Sequence, residues 1–166
     1  AGADKVAVNS AAVSRPELVR EIAEKFGSQC VVVSLDALSS GDDYEVFTHR
    51  GTRGSGRNVC EVAVGMQEQG AGEILVNSIR RDGTWEGYDL ELVSKVTAAV
   101  GVPVIALGGA GSVADLGRAV HEAGASAVSA GSLFVYHGRR RGILITFPTQ
   151  QELIDSLGRD SVRERV

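Results

Sequence analysis

The sequence predicts an α/β fold with a parallel sheet that forms part of a closed β/α barrel. Three observations carry that expectation. A nine-residue phrase recurs at Gly2–Ser10, Gly70–Ser78 and Gly124–Ser132. In each copy Gly-Ala ends a helix and an apolar run forms a short strand. A small or amide residue followed by Ser then stands where the strand opens into a loop. Short apolar runs also alternate with amphipathic helical patterns, which gives parallel strands joined by right-handed crossovers. Finally, the polar residues gather at the carboxyl ends of the strands, where a β/α barrel builds its site. A doubly wound open sheet is the other architecture that fits the alternation. Its dinucleotide form needs Gly-x-Gly-x-x-Gly after a first strand and an acidic residue further on. Gly108-Gly109-Ala110-Gly111 lacks that context.

Five strands are expected at Lys5–Asn9, Cys30–Asp36, Glu73–Ser78, Pro103–Leu107 and Ala127–Gly131. Each is short, apolar and bounded by Gly, Pro, Asp or Ser, as fully buried parallel strands are. Helical patterns separate them. Pro16–Phe26 places Leu18, Ile22, Ala23 and Phe26 on one face, with Ser14 as a cap ahead of Pro16. Val59–Gln69 repeats the pattern with Val62, Ala63 and Met66. Leu90–Val100 follows Asp89 and Val113–Ala123 follows Ser112, both good N-caps. Tyr44–His49 alternates like a small hairpin inserted after the second strand. Gly142–Phe147 reads as an extra strand, Gln150–Leu157 as a helix, and the charged residues after Gly158 as a frayed end. We therefore expect one domain, with barrel units over 1–134 and a divergent tail over 135–166. The chain opens on Ala1-Gly2 at a helix-to-strand junction, so it reads as part of a barrel whose earlier units are absent.

The chain has 166 residues, of which 43% are hydrophobic and 23% charged, the balance of a globular domain with its own core. A net charge of -4 argues against generic nucleic-acid binding. The dense basic run Arg139-Arg140-Arg141 reads as a solvated turn, with a phosphate or membrane contact as the alternative. No apolar stretch is long enough to span a bilayer and no signal-peptide pattern is present. Cys30 and Cys60 lie far apart and read as free thiols in a reducing cytoplasm. His49, His121 and His137 do not form a metal constellation, and no metal or cofactor is expected.

Asp36 is the expected acid–base group. A carboxylate closing a buried strand is costly unless it is hydrogen-bonded or used, and a helix cap or loop anchor is the alternative role. Asp82-Gly83-Thr84 is a turn signature in which Gly83 lets the backbone approach a ligand and Asp82 can orient it. Gly108-Gly109 and Gly131-Ser132 stand on adjacent strand ends before helices, the composition of a backbone anion cradle. Asn9-Ser10 repeats that chemistry at the other side of the mouth, and Asn77-Ser78 closes the middle strand. Two cradles suit a long ligand with a phosphate at each end. Trp85 either closes over a ligand or packs its loop.

Several runs together resemble the cyclase subunits of imidazole glycerol phosphate synthase. They are Gly2–Ser10, Val31–Ala37, Gly70–Thr84, Gly87-Tyr88-Asp89 and Gly108–Gly111. The match runs in order from Gly2 to about Phe134. The resemblance implies a (β/α)8 barrel of the ribulose-phosphate-binding type, of which this chain matches the fourth to eighth strand units. It implies an ammonia-using cyclase of histidine biosynthesis, working with a glutamine amidotransferase partner on a doubly phosphorylated nucleotide. On this resemblance Asp36 is one of two catalytic aspartates, and the other belongs to the first strand. Asn9, Ser10, Asn77, Asp82, Gly83, Gly108, Gly109, Gly131 and Ser132 fall at ligand- and phosphate-binding positions. Lys5 and Glu73 match a charged gate for ammonia, and Asp4 lies near the glutaminase docking face. Arg80 stands where the family usually has an acidic residue, and Leu107 where it usually has Ser. The tail from Gly131, with Asn77 and Arg57-Asn58, is closer to a paralogous branch that acts in forming acetamidino sugars of surface polysaccharide. An isolated, non-catalytic phosphate-binding half-barrel is the third reading.

Overall fold

The computed structural model describes residues 2–138 and 141–158. Ala1, Arg139, Arg140 and the charged residues after Gly158 lie outside the described residues, so two arginines of the basic run and the expected frayed end lie there too. The strands are β1 Val6–Val8, β2 Val31–Ser40, β3 Asp43–Thr48, β4 Arg53–Asn58, β5 Glu73–Ser78, β6 Val104–Leu107 and β7 Ala127–Val128, followed by β8 Tyr136–His137 and β9 Gly142–Ile143. The helices are α1 Ser10–Ser14, α2 Glu17–Phe26, α3 Val59–Glu68, α4 Leu90–Ala99, α5 Val113–His121, α6 Ser132–Val135 and α7 Gln150–Leu157.

Five parallel strands lie side by side in chain order, β1-β2-β5-β6-β7. A doubly wound sheet reverses its strand order at a switch point. This one never does, which is the winding of a barrel. β1 and β7 are the edges of the parallel set and do not pair with each other, so the described residues form a partial β/α barrel.

Burial alternates along β5 and along β2 from Val33 to Leu38. Val31, Val33, Leu35, Ile74 and Val76 are fully buried under the helices. Their neighbours Ser34, Asp36, Glu73, Leu75 and Asn77 are only half-buried. The expectation of strands buried on both faces is therefore corrected, because five strands make an open half-cylinder whose inner face is not covered. Helix boundaries follow the sequence reading closely. Asn58, Asp89 and Ser112 cap α3, α4 and α5 through their side chains. Ser14 does not cap α2, since it closes the short α1 and Pro16 already has helical backbone angles. Val19 is the fully buried residue of α2, while Phe26 is 58% exposed beside the open β1 edge.

The recurring phrase has a physical basis. Gly2, Gly70 and Gly124 all have positive φ, at 85°, 98° and 72°. In the second copy the N–H of Ala71 donates to the carbonyl of Met66 at 3.0 Å, the closing bond of a Schellman turn. Ala71 and Ala125 then enter the core.

The insertion is larger than the alternation of Tyr44–His49 implies. β2 itself runs on to Ser40, and β3 pairs antiparallel with Asp36–Ser40 before β4 adds a third strand. In the tail, among the described residues, Gly142–Ile143 of the expected 142–147 strand pairs with Tyr136–His137. Leu144 and Thr146 instead donate their N–H groups to Val135 and Phe134. α7 packs on α5, where Ser156 Oγ donates to the Val113 carbonyl at 2.7 Å.

Replacing one residue on each face of β2 checks this arrangement. Leu35→Ala is expected to cost about 2–5 kcal/mol by urea unfolding, and Ser34→Ala to stay within about 0.5 kcal/mol. Equal costs would mean that the inner face is packed.

Candidate functional site

Asp36 stands where β2 changes neighbours. Val31, Val32 and Val33 pair with β1, whereas Asp36 to Ser40 pair with β3. The inserted hairpin therefore stacks end-on above β1, on the same side of β2, and Asp36 sits at the junction. Its carboxylate lies on the inner face and is half-buried.

Two amides hold that carboxylate. Asn9 Nδ2 donates to Asp36 Oδ2 at 3.2 Å from the end of β1. Asn77 Nδ2 donates to Asp36 Oδ1 at 3.0 Å from β5, where the two residues are directly opposite. Ser10 Oγ donates to Asn9 Oδ1 at 3.1 Å and accepts the backbone N–H of His49 at 2.9 Å. A continuous polar row therefore runs from the hairpin tip through Ser10, Asn9 and Asp36 to Asn77. It spans β1, β2 and β5 at their carboxyl ends.

The other side of the hairpin is anchored outside the row. Tyr44 Oη donates to Asp89 Oδ1 at 2.9 Å and Ser78 Oγ to Asp89 Oδ2 at 3.2 Å. Asp89 also caps α4 by accepting the N–H of Leu92. Lys95 Nζ donates to the Asp42 carbonyl at 2.7 Å. Burial, reinforced by the Asp89 carboxylate, pushes the Tyr44 phenol well above its ordinary range. The sequence reads Asp89 as a helix cap and Ser78 as half of a polar pair closing the middle strand. Ser78 is buried on the helix side of β5, the face opposite Asn77, because successive residues of a strand alternate.

The remaining expected residues distribute around this row. Gly108 and Gly109 have φ of 89° and 111°. A Cβ on Gly108 would come within 2.5 Å of Asn77 Oδ1, and one on Gly109 within 2.3 Å of the Gly87 carbonyl. The turn is thus packed tightly against the β5–α4 loop. Asp115 Oδ2 accepts the N–H groups of Gly111 and Ser112, so the start of α5 is capped by its own carboxylate. Gly131 is exposed with nothing near its absent Cβ, and Ser132 opens the short α6. Asp82 is exposed in the turn after β5, and Gly83 has a φ of 73° with open space around it. Its neighbour Trp85 packs its carbonyl against Gly111 and lies under the Arg141 guanidinium, 5.1 Å from the ring centre. Trp85 therefore takes the loop-packing role.

At the amino end of the same inner face, Lys5 Nζ forms an ion pair with the Glu73 carboxylate. Lys5 and Asn9 flank β1 four residues apart, and Glu73 precedes Asn77 by four on β5. Both pairs therefore share one face, about 13 Å apart at the usual strand rise. Ala7, Ser34 and Leu75 lie between them. One recess of about 390 Å³ lies against Arg80, Arg81, Glu86 and Tyr88, and another of about 630 Å³ along Lys5, Val6, Val8, Ile22 and Phe26. Asp36 lines neither. Among the described residues no three His, Cys, Asp or Glu side chains gather as a metal site requires, and no helix is long and apolar enough to cross a membrane.

Comparison with known families matches residues 1–140 to the histidine biosynthesis protein family. The chain belongs to that family. It is 57% identical over 134 residues to the imidazole glycerol phosphate synthase subunit HisF of Hyphomonas neptunium, covering 81% of this chain and 53% of the relative. It is 54% identical over 143 residues to the HisF subunit of Streptomyces coelicolor, covering 86% of this chain and 57% of that one. A putative imidazole glycerol phosphate synthase subunit, hisF2, from Pseudomonas aeruginosa is 47% identical over 153 residues, covering 92% of this chain and 61% of its own length. The chain thus spans about half the length of the curated relatives it matches.

The Tyr44–Asp89 bond gives a stability test with a definite sign. A phenol whose folded pKa is raised contributes stability that is fully present below the ordinary tyrosine value and is lost as pH rises above about 10. Tyr44→Phe is expected to cost about 1.5–3 kcal/mol at neutral pH, as a hydrogen bond to a charged acceptor does. The variant is also expected to lose less stability than the parent when chemical unfolding is repeated above about pH 10. An unchanged alkaline loss would show that Tyr44 is not the group responsible.

Proposed function

We propose that this chain supplies the acid–base and phosphate-binding wall of an ammonia-using cyclase in histidine biosynthesis, a cytoplasmic enzyme. The observation that carries the reading is the Asp36 carboxylate held between Asn9 and Asn77 at the carboxyl end of a barrel-type sheet. Family membership and the subunit names of the relatives support it. In this reading Lys5 and Glu73 form the gate through which ammonia from a partner glutaminase enters. Ammonia then moves along the inner face past Ala7, Ser34 and Leu75 towards Asp36.

The acceptor in this reading is a phosphoribulosyl formimino-carboxamide nucleotide with a phosphate at each end. Asn9 and Ser10 take one phosphate. The turns at Gly108-Gly109 and Gly131-Ser132 take the other through backbone N–H groups. Asp82 and Gly83 contact the ligand from the turn after β5. Asp36 moves protons as the imine forms and the ring closes, giving imidazole glycerol phosphate and an aminoimidazole carboxamide ribotide. The Asn9 and Asn77 amides fix the direction of its carboxylate, so that proton transfer does not wait on side-chain rotation.

A second reading keeps the ammonia path and changes the acceptor to an acetamidino-sugar precursor. The observation favouring it is the hisF2 match, which covers 92% of the chain against 81% for the first relative.

A chimera separates the two. The 134 matching residues of this chain replace their counterparts in the Hyphomonas neptunium subunit, and the product is expressed in a strain lacking its own cyclase. Growth without histidine is expected. Asp36→Asn in the chimera is expected to lower turnover by about 10²–10⁴-fold, the usual contribution of a positioned acid–base group. A soluble chimera that supports no growth contradicts the histidine reading.

A further inference from the structure

We propose that Asn77 is a positioning residue that couples the Gly108-Gly109 turn to the Asp36 carboxylate, so that the state of one is felt at the other. The amide has two ends with unequal surroundings. Its Nδ2 donates to Asp36 Oδ1 at 3.0 Å. Its Oδ1 is sealed from solvent and has no donor among the described residues. That oxygen faces the Gly108 turn so closely that a Cβ there would stand 2.5 Å away, and 2.9 Å from the Ser78 carbonyl.

An orphaned buried acceptor costs about 1–3 kcal/mol. Rotating the amide by 180° would not relieve it, since the carbonyl oxygen would then face the Asp36 carboxyl oxygen. The side chain is therefore trapped between the carboxylate and the glycine turn. Gly108 follows Leu107, the residue paired with Asn77 across β5 and β6, so the two ends of the lever share one sheet register. Any shift of the turn, such as one drawn by an anion on its N–H groups, moves the Asn77 amide and with it the donor on Asp36. Asn9 provides an independent witness, because it holds Asp36 from the opposite side and does not touch the turn. The significance of the coupling rests on Asp36 being the acid–base group, whereas its existence is tested without any turnover.

Coupling of this kind is reciprocal, so the proton on Asp36 is a sufficient probe. The experiment is a pH titration of the ¹⁵N-labelled full chain by NMR, following the Gly108 and Gly109 backbone amides and the side-chain NH₂ groups of Asn9 and Asn77. Asp36→Asn assigns the Asp36 step. It separates that step from those of Asp43, Glu45 and His49 on the hairpin, Glu73 on β5, and Asp89 and Asp115 beside the β5–α4 loop and the glycine turn. In the parent chain all four signals are expected to show the Asp36 step with one midpoint. In Asn77→Leu the glycine step is expected to be lost while the Asn9 step persists, which also shows that the variant keeps its fold around Asp36. A glycine step of undiminished size in Asn77→Leu overturns the proposal, as does its absence from the parent. Loss of the Asn9 step together with the glycine step overturns it too, by reducing Asn77 to a general structural role. Failure of the histidine-biosynthesis reading would instead appear in the chimera, with these steps unaltered.

Discussion

The ten-residue strand β2 has one neighbour on one side and two in succession on the other. β5 runs along it from Val32 to Ala37, while β1 pairs with its first three residues and β3 with its last five. The change of partner falls at Asp36. Because a strand alternates its faces, the register that buries Val31, Val33 and Leu35 under the helices also turns Ser34 and Asp36 inward. A slip of one residue would send the carboxylate into the apolar layer and bring Leu35 to the inner wall. Core packing and placement of the acid–base group are therefore one constraint.

The hairpin above β1 depends on the same junction. Its tip reaches Ser10 and, through Asn9, the carboxylate, while Tyr44 and Lys95 tie its other side to α4. Asp89 serves as helix cap and hairpin anchor together, so the loop after β5, the start of α4 and the insertion are held by one half-buried carboxylate. Rigid backing of this kind is what a positioned proton-transfer group needs, since loss of alignment is costly in rate.

Much of this was legible in the sequence, for identifiable reasons. α3, α4 and α5 begin at side-chain caps and keep a helical period, so their starts agree with the reading to the residue. The Gly-Ala phrase marked helix ends because its glycines occupy positive φ. Asp36 stood out as a carboxylate after an apolar run. The continuation of β2 did not, because Ala37-Leu38-Ser39-Ser40 has no strong strand pattern and is held by a partner that comes later in the chain. Tyr44 and Asp89 are 45 residues apart, and no local pattern links them. Asn77 and Ser78 read as one polar pair, yet alternation sends one to Asp36 and the other to Asp89.

The most direct test of the shared constraint is the pattern of nuclear Overhauser contacts around residues 34–37 in the labelled chain. Contacts are expected from the Asp36 Hβ protons to the side-chain amides of both Asn9 and Asn77, with cross-strand backbone contacts between Asp36 and Phe47. Leu35 methyls are expected to contact apolar helix residues and neither asparagine. Leu35 contacts to Asn9 and Asn77, with Asp36 facing the helices, would contradict the register on which the site is built.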